Sequence, residues 1–277
     1  MSQFINQYFD VNFMINHFDP VFTAFWKYTI PLWLISGALA LIWGLILATL
    51  RQIPGRAGLP IRILAITYID AFRGIPMLLV ILLIAGGLGA LSAGAAIPGP
   101  IPESIAVPTW LGYPSPFWYG VMACTITYGA YMAEVYRAGI EAVPQGQVEA
   151  ARSLGMSHGQ AMRYVIVPQA VRKVIPPLLN DLIALMKDTS LVSVIALLEV
   201  VQVGRDIQSK TFNSSALMLG AILFLVLTIP LARLVDWLIA RQQAKTRRGG
   251  GGEGPDLAAL QPLPTAGGGA SAGTGAS

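Results

Sequence analysis

Asp181, Lys187, Asp188, Thr189, Ser190 and Ser193 bring charges and hydroxyls into an otherwise apolar run of this 277-residue chain. Groups of both signs so closely spaced make charge-assisted hydrogen bonds, either to a solute or to one another within the fold. For Asp181, with Asn180 beside it, a place at a gate is the other open role. A second set lies upstream: Asp70 and Arg73 stand three apart just before Gly74 and Pro76, a pair that bends helices. Met77 follows, with a soft side chain that suits a solute's apolar part or, equally, lipid or core. Glu134 and Arg137 repeat the three-residue spacing, which puts them on one helical face as a structural pair or as part of a path lining. Nothing here is catalytic by motif. The chain has no GxxxxGK[ST] phosphate loop, no HExxH and no cysteine cluster. His17 and His158 lie in a terminal segment and a turn, and Cys124 is the lone cysteine, so a disulfide framework is excluded. No cofactor, metal or catalytic residue is expected.

The medium that surrounds these residues follows from composition. At 55% hydrophobic and 12% charged, the chain lacks the polar shell of a soluble globule of its size and fits a bilayer instead. Its net charge of +4 comes from Lys and Arg gathered at the ends of apolar runs, a topology signal rather than a nucleic-acid stripe. The fold class expected is all-α and polytopic, with about five transmembrane helices. Apolar stretches near 28–50, 66–92, 117–140 and 214–240 are long enough to cross about 30 Å of hydrocarbon. A fifth run, 176–203, is interrupted by Asp181, Lys187, Asp188 and Glu199. A Lys or Asp at a lipid-facing helix centre costs about 2.5–3.5 kcal/mol, so this run must face protein, water or headgroups.

Basic residues set the expected orientation. Arg51, Arg56 and Arg62 follow the first span, Arg137 through Lys173 the third, and Arg241, Lys245, Arg247 and Arg248 the last. The alternate loops near 93–116 and 204–213 hold only Arg205 and Lys210, so the N-terminus is expected outside and the C-terminus in the cytoplasm. The expected divisions are an extracytoplasmic segment at 1–27, a membrane domain at 28–248 and a cytoplasmic tail at 249–277. The start carries Asp10 and no cation before Lys27, so it lacks the positive region of a cleavable signal. The proline-rich stretch from Ile97 to Pro116 suits a stiff, extended cover. The tail is Gly, Ala, Pro, Ser and Thr, and it reads as disordered or as a linker.

The loop between the third and fourth spans, about 141–175, is too organised for a connection. Pro144 suits a first helical turn, Gln147 to Leu154 are good helix formers, and Gly155 takes the left-handed conformation that ends a helix. Ser157 and Gln160 form a capping box for a second short helix. Val148, Ala151 and Leu154 recur at intervals of three, which leaves one face small and apolar. A DNA-reading helix-turn-helix is excluded by tethers on both sides, since the unit is held at the membrane and does not reach a major groove. An amphipathic bracket on the bilayer and a docking knob for a cytoplasmic partner both remain.

Glu149-Ala150-Ala151, three residues, Gly155, nine residues, then Val165-Ile166-Val167-Pro168 resembles the EAA loop of ABC importer permeases, with Val165 and Val167 in place of Ile and Leu. The stretches TYGAYMAEVYRAGIEAVPQGQVEAA, LMKDTSLVSVI and FRGIPMLLVILL look like those of polar amino-acid permeases, such as the permeases for histidine, glutamine, glutamate and arginine. The likeness runs from about 30 to 240. It implies a type I importer permease in a bacterial inner membrane, not itself an enzyme, with ATP hydrolysis left to separate ATPase subunits. It further implies a second permease subunit, identical or a sister, an extracytoplasmic solute-binding protein, and no nucleic-acid partner.

On this resemblance Glu149, Ala150, Ala151, Leu154, Gly155 and Pro168 belong to the ATPase-coupling loop. Glu149 would serve a basic partner or a helix start, while the two alanines admit a close surface. Met77, Asp181, Lys187, Asp188, Thr189, Ser190 and Ser193 become candidates for the substrate path, their charges meeting the ammonium and carboxylate of a zwitterion. An ion-coupled carrier using the same charges as a relay, and a membrane scaffold or receptor using only the loop, are the alternatives. Many carriers show paired halves, and no inverted repeat is evident here.

Overall fold

The computed structural model describes residues 7–92 and 109–249, and among them all regular structure is helical. The chain divides into a unit ending at Ile239 and a second starting at Ala240, whose described residues 240–249 are helical. The expected tail and most of the proline-rich loop lie outside the described residues.

Two short helices, α1 (Val11–Asn16) and α2 (Phe18–Ala24), lead through a π turn at Phe25–Thr29 into α3 (Ile30–Arg51). Asp10 caps α1 by accepting from the Phe13 amide at 3.0 Å. The π turn sits directly ahead of Pro31, where a proline ring would crowd the carbonyl four residues back, and the wider turn takes up that conflict. The helical run is therefore continuous over Phe18–Arg51, 34 residues, and begins well before residue 28.

Next come α4 (Leu59–Gly74) and α5 (Met77–Ser92), then, after a 3-10 turn at Trp110–Gly112, α6 (Ser115–Glu141). The apolar run expected at 66–92 is thus two helices, inclined at 108° across Ile75 and Pro76. The stretch at about 141–175 holds α7 (Gln145–Ser153) and α8 (His158–Ala161), and a second π turn at Met162–Ile166 leads into α9 (Val167–Asp188). That turn again stands ahead of a proline, Pro168. Beyond a 3-10 turn at Thr189–Ile195 lie α10 (Val200–Thr211) and α11 (Ser215–Gly249).

The run read as 176–203 is therefore divided. Helix α9 stops at Asp188, Ala196 takes a left-handed φ of 59°, and buried Glu199 starts α10 by accepting from the Val201 and Gln202 amides. Most of the 204–213 stretch, expected as a loop, is α10 itself.

By length and apolarity alone, Phe18–Arg51 and Ser215–Arg241 suffice to cross a membrane, and the bent α4/α5 pair makes a third. Helices α6 and α9, 27 and 22 residues long, span by length, at about 1.5 Å per residue. Most of α6 is enclosed by protein, which accommodates its polar side chains, whereas Arg172, Lys173, Asn180 and Lys187 of α9 are exposed. Helix α6 is the centre of the bundle, with Phe117, Cys124 and Met132 fully buried against Leu32 of α3, Ile81 of α5 and Leu185 of α9. The α3–α6 contact depends on small residues: a Cβ on Gly44 would meet Met132 Cβ at 2.8 Å and the Gly129 carbonyl at 2.9 Å. Side-chain donors tie the helices across this core, with Trp33 Nε1 donating to the Leu182 carbonyl at 2.8 Å and Tyr68 Oη to that of Ile126 at 3.0 Å.

Candidate functional site

A cavity forms where α4 breaks into α5. The Ile75 amide still donates to the Ala71 carbonyl at 3.0 Å, but Ile75 itself is extended (φ −87°, ψ 128°) and Pro76 has no amide to give. The ladder stops, and the broken backbone at Gly74, Ile75 and Pro76, with Arg73 and Met77, becomes one wall of a cavity of about 420 Å³. Irregular backbone at membrane depth is tolerated where it lines such a space. The facing wall is built by Thr127, Tyr128 and Tyr131 on α6 and by Asp181, Ala184 and Asp188 on α9.

The polar groups of this cavity are held in place from behind. Tyr128 Oη donates to Asp188 Oδ2 at 2.8 Å. Tyr131 Oη donates to the Arg73 carbonyl at 3.3 Å, at the last turn of α4, and the Arg73 guanidinium lies 5.9 Å from the centre of the Tyr131 ring. Arg73 makes no ion pair among the described residues. Thr127 Oγ1 and Asp181 Oδ2 are buried without a hydrogen-bond partner among the described residues. Buried polar atoms are normally satisfied, so these two leave hydrogen-bonding capacity unused behind the cavity wall.

Of the residues proposed from sequence for a path, Met77, Asp181 and Asp188 meet here. Lys187 and Ser190 do not, because successive residues on a helix turn by about 100° and Lys187 faces a separate groove with Val200, Phe224 and Thr228. Thr189 is buried and donates to the Met186 carbonyl at 2.6 Å, and Ser193 is buried in the bundle. Sequence reasoning passed over Thr127, Tyr128 and Tyr131, and it treated Arg73 only as a neighbour of Asp70. Their signal was the helical spacing of 127, 128 and 131, which puts three hydroxyls on adjoining positions of one face.

The α7–α8 loop is capped as its sequence predicts. Gly155, at φ +82°, donates to the Arg152 carbonyl at 3.0 Å and Met156 to that of Ala151 at 3.2 Å, the crossed bonds of a Schellman turn. Ser157 and Gln160 exchange side-chain and backbone bonds in the expected capping box. The loop is seated on Val143, Ile166 and Ala170, with Val148 and Met162 packed against them. Lys173 donates to the Ala142 carbonyl, and Gln169 to the Gln147 side chain, so the end of α6 and the start of α9 hold it from both sides.

Exposure sorts the motif. Ala151 faces inward at 4% and Leu154 protrudes at 80%, so the expected apolar face of 148, 151 and 154 does not form: Leu154 is the cap residue, where the helix has already turned away. Glu149 and Ala150 are exposed, so one of the two alanines, not both, is open to a partner. Glu149 sits in mid-helix and does not cap α7, a place taken by Pro144. Pro168 is exposed in the first turn of α9. Beside the loop, Glu134 pairs with Arg51 at 2.9 Å and with Arg137, which also meets Glu141, so the spacing read from sequence does form an ion pair.

Residues 40–244 match the family model described as "Binding-protein-dependent transport system inner membrane component". The chain is 36% identical over 183 residues to the probable glutamine ABC transporter permease protein GlnM of Bacillus subtilis (strain 168), covering 66% of this chain and 76% of that one. It is 30% identical to the arginine transport system permease protein ArtQ of the same organism, covering 73% and 83%. A crystal structure of an amino acid ABC transporter with histidines superposes with a TM-score of 0.70 at 33% identity, covering 82% of this chain and 96% of that one. An inward-facing structure of the MetNI methionine ABC transporter gives 0.64 at 16% identity, covering 82% and 97%, a likeness of fold.

Proposed function

The chain belongs to the inner-membrane components of binding-protein-dependent transport systems and is a multi-pass ABC importer permease; we propose that the solute it passes is a polar amino acid, bound in the cavity at the α4/α5 elbow. The observation that carries this reading is the continuity of two helices. Helix α6 runs from the cavity wall at Thr127 and Tyr128 to the ionic cluster beside the loop, and α9 runs from Pro168 at the loop to Asp181 and Asp188 at the cavity. A push on the loop is therefore a push on both walls.

In this reading Glu149, Ala150, Leu154 and Gly155 form the surface and bend presented to a separate ATPase, with Ala151 seating the helix and Pro168 starting α9. The loop and the C-terminus lie in the cytoplasm and the N-terminus outside, in keeping with the basic residues that flank the loop. Two permease subunits, like or sister, enclose the path, and an extracytoplasmic solute-binding protein delivers the amino acid. Closure of the ATPase dimer on ATP drives the spans from inward-facing to outward-facing, and hydrolysis resets them. Arg73 receives the solute carboxylate and Asp181 or Asp188 its ammonium, while Met77 packs on the apolar part.

The test is uptake of a panel of radiolabelled amino acids into proteoliposomes that contain the permease, its ATPase and its binding protein. ATP-dependent accumulation that needs all three components is the expected result. Uptake driven by an ion gradient without the ATPase would overturn the importer reading.

A further inference from the structure

We infer that the cavity selects an amino acid whose side chain is itself cationic; the inference rests on the proposal that this cavity is the solute site. One guanidinium, Arg73, faces two carboxylates, Asp181 and Asp188. Arg73 forms no ion pair, and neither does either carboxylate, among the described residues. The nearest cation in sequence, Lys187, is turned into the other groove. The lining therefore carries an excess negative charge that a zwitterion of zero net charge leaves uncompensated and that a solute of net +1 cancels.

Geometry separates the two carboxylates. They stand seven residues apart on α9, on one face and about 10 Å apart along its axis. One ammonium reaches about 3 Å in each direction through its hydrogen bonds, so a single cation does not serve both. A dibasic amino acid does: its carboxylate pairs with Arg73, its α-ammonium with one aspartate and its distal cation with the other. Tyr128, whose ring centre is 5.8 Å from that of Tyr131, lines the same cavity and adds an aromatic ring beside Asp188 for a distal cation. Asp188 is aimed and partly satisfied by Tyr128, whereas Asp181 Oδ2 has no partner among the described residues, so Asp181 contributes more to the preference.

The experiment is equilibrium binding of radiolabelled L-lysine, L-arginine, L-glutamine and L-glutamate to the detergent-solubilised permease–ATPase complex without binding protein, so that the selection measured belongs to the membrane subunit. Lysine and arginine should bind at least tenfold tighter than glutamine. That ratio should fall about tenfold in Asp181→Asn, less in Asp188→Asn, and recover in part in Asp181→Glu. Glutamine or glutamate binding as tightly as lysine to the unaltered complex overturns the cationic preference and leaves amino-acid import standing. If none of the four binds while the complete transporter still accumulates amino acids, the cavity is not the selecting site and the inference falls with it. Absence of both binding and ATP-driven uptake overturns the inference together with the function on which it rests.

Discussion

A partly buried carboxylate is stabilised by cationic partners, and the chain gives Glu134 two of them from different helices. Arg51 of α3 and Arg137 of α6 both reach it, with side chains 26% and 28% exposed against 22% for Glu134. Replacing Glu134 by Gln keeps the shape but leaves two guanidinia facing a neutral amide, a loss of about 1.5–3 kcal/mol for hydrogen bonds to a charged group. Glu141, at 60% exposure, holds Arg137 from the solvent side, and its loss costs about 0–1 kcal/mol. Thermal unfolding in detergent should therefore show a clear drop in Tm for Glu134→Gln and almost none for Glu141→Gln. Equal drops would mean that the network acts as one unit rather than through Glu134. The three-residue spacing of Glu134 and Arg137 made their pairing readable from sequence. Arg51, 83 residues upstream of Glu134, was not readable as the third member, because nothing local joins it. The same holds at the cavity: Arg73 is fixed by Tyr131 across 58 residues, and which way Lys187 and Asp188 point depends on how α9 is rotated against its neighbours.

Elements were more legible where their ends are written in local chemistry. The capping box at Ser157 and the turn at Gly155 depend on residues within six positions of one another, and both formed as their sequence predicts. Pro76 likewise announced a break, but the 108° elbow needed the packing of α5 against α6 and the turn after α9 to settle its size. Pro31 and Pro168 left no readable trace of the π turns ahead of them, since a proline early in a helix is ordinary. At Gly155, φ +82° costs an L-residue about 1–2 kcal/mol, although open space surrounds the position. Gly155→Ala should loosen α7 alone, with amide hydrogen exchange in 145–156 speeding by about five- to thirty-fold and α6 unchanged. Gly44→Val tests the opposite case, a close approach in the core. Its side chain would drive α3 off Met132 and the Gly129 carbonyl, costing about 1–3 kcal/mol, and the whole protein should melt earlier.

For the whole molecule, what matters is how far the loop is from the cavity and what lies between. Both are carried on α6 and α9: Lys173 and Gln169 clamp the loop to the helix ends, and Tyr128 and Asp188 clamp the same two helices to each other at the cavity. This arrangement separates a change at the proposed docking surface from one at the proposed binding wall. Ala150 is exposed and contributes nothing to the loop's seat, which is made by Val143, Ile166 and Ala170, so Ala150→Asp should leave the fold intact. If the loop docks on the ATPase as proposed, a charge there would place an unpaired carboxylate in that contact, where burial without a partner costs several kcal/mol. The complete transporter carrying Ala150→Asp should lose most of the stimulation of ATP hydrolysis by loaded binding protein, by tenfold or more. Its melting temperature, and amino-acid binding to the solubilised permease, should stay as they were. If hydrolysis is stimulated normally in that variant, the loop is not the route by which the ATPase and the cavity communicate. If amino-acid binding is lost together with stimulation, the loop supports the cavity wall and does not merely transmit force to it.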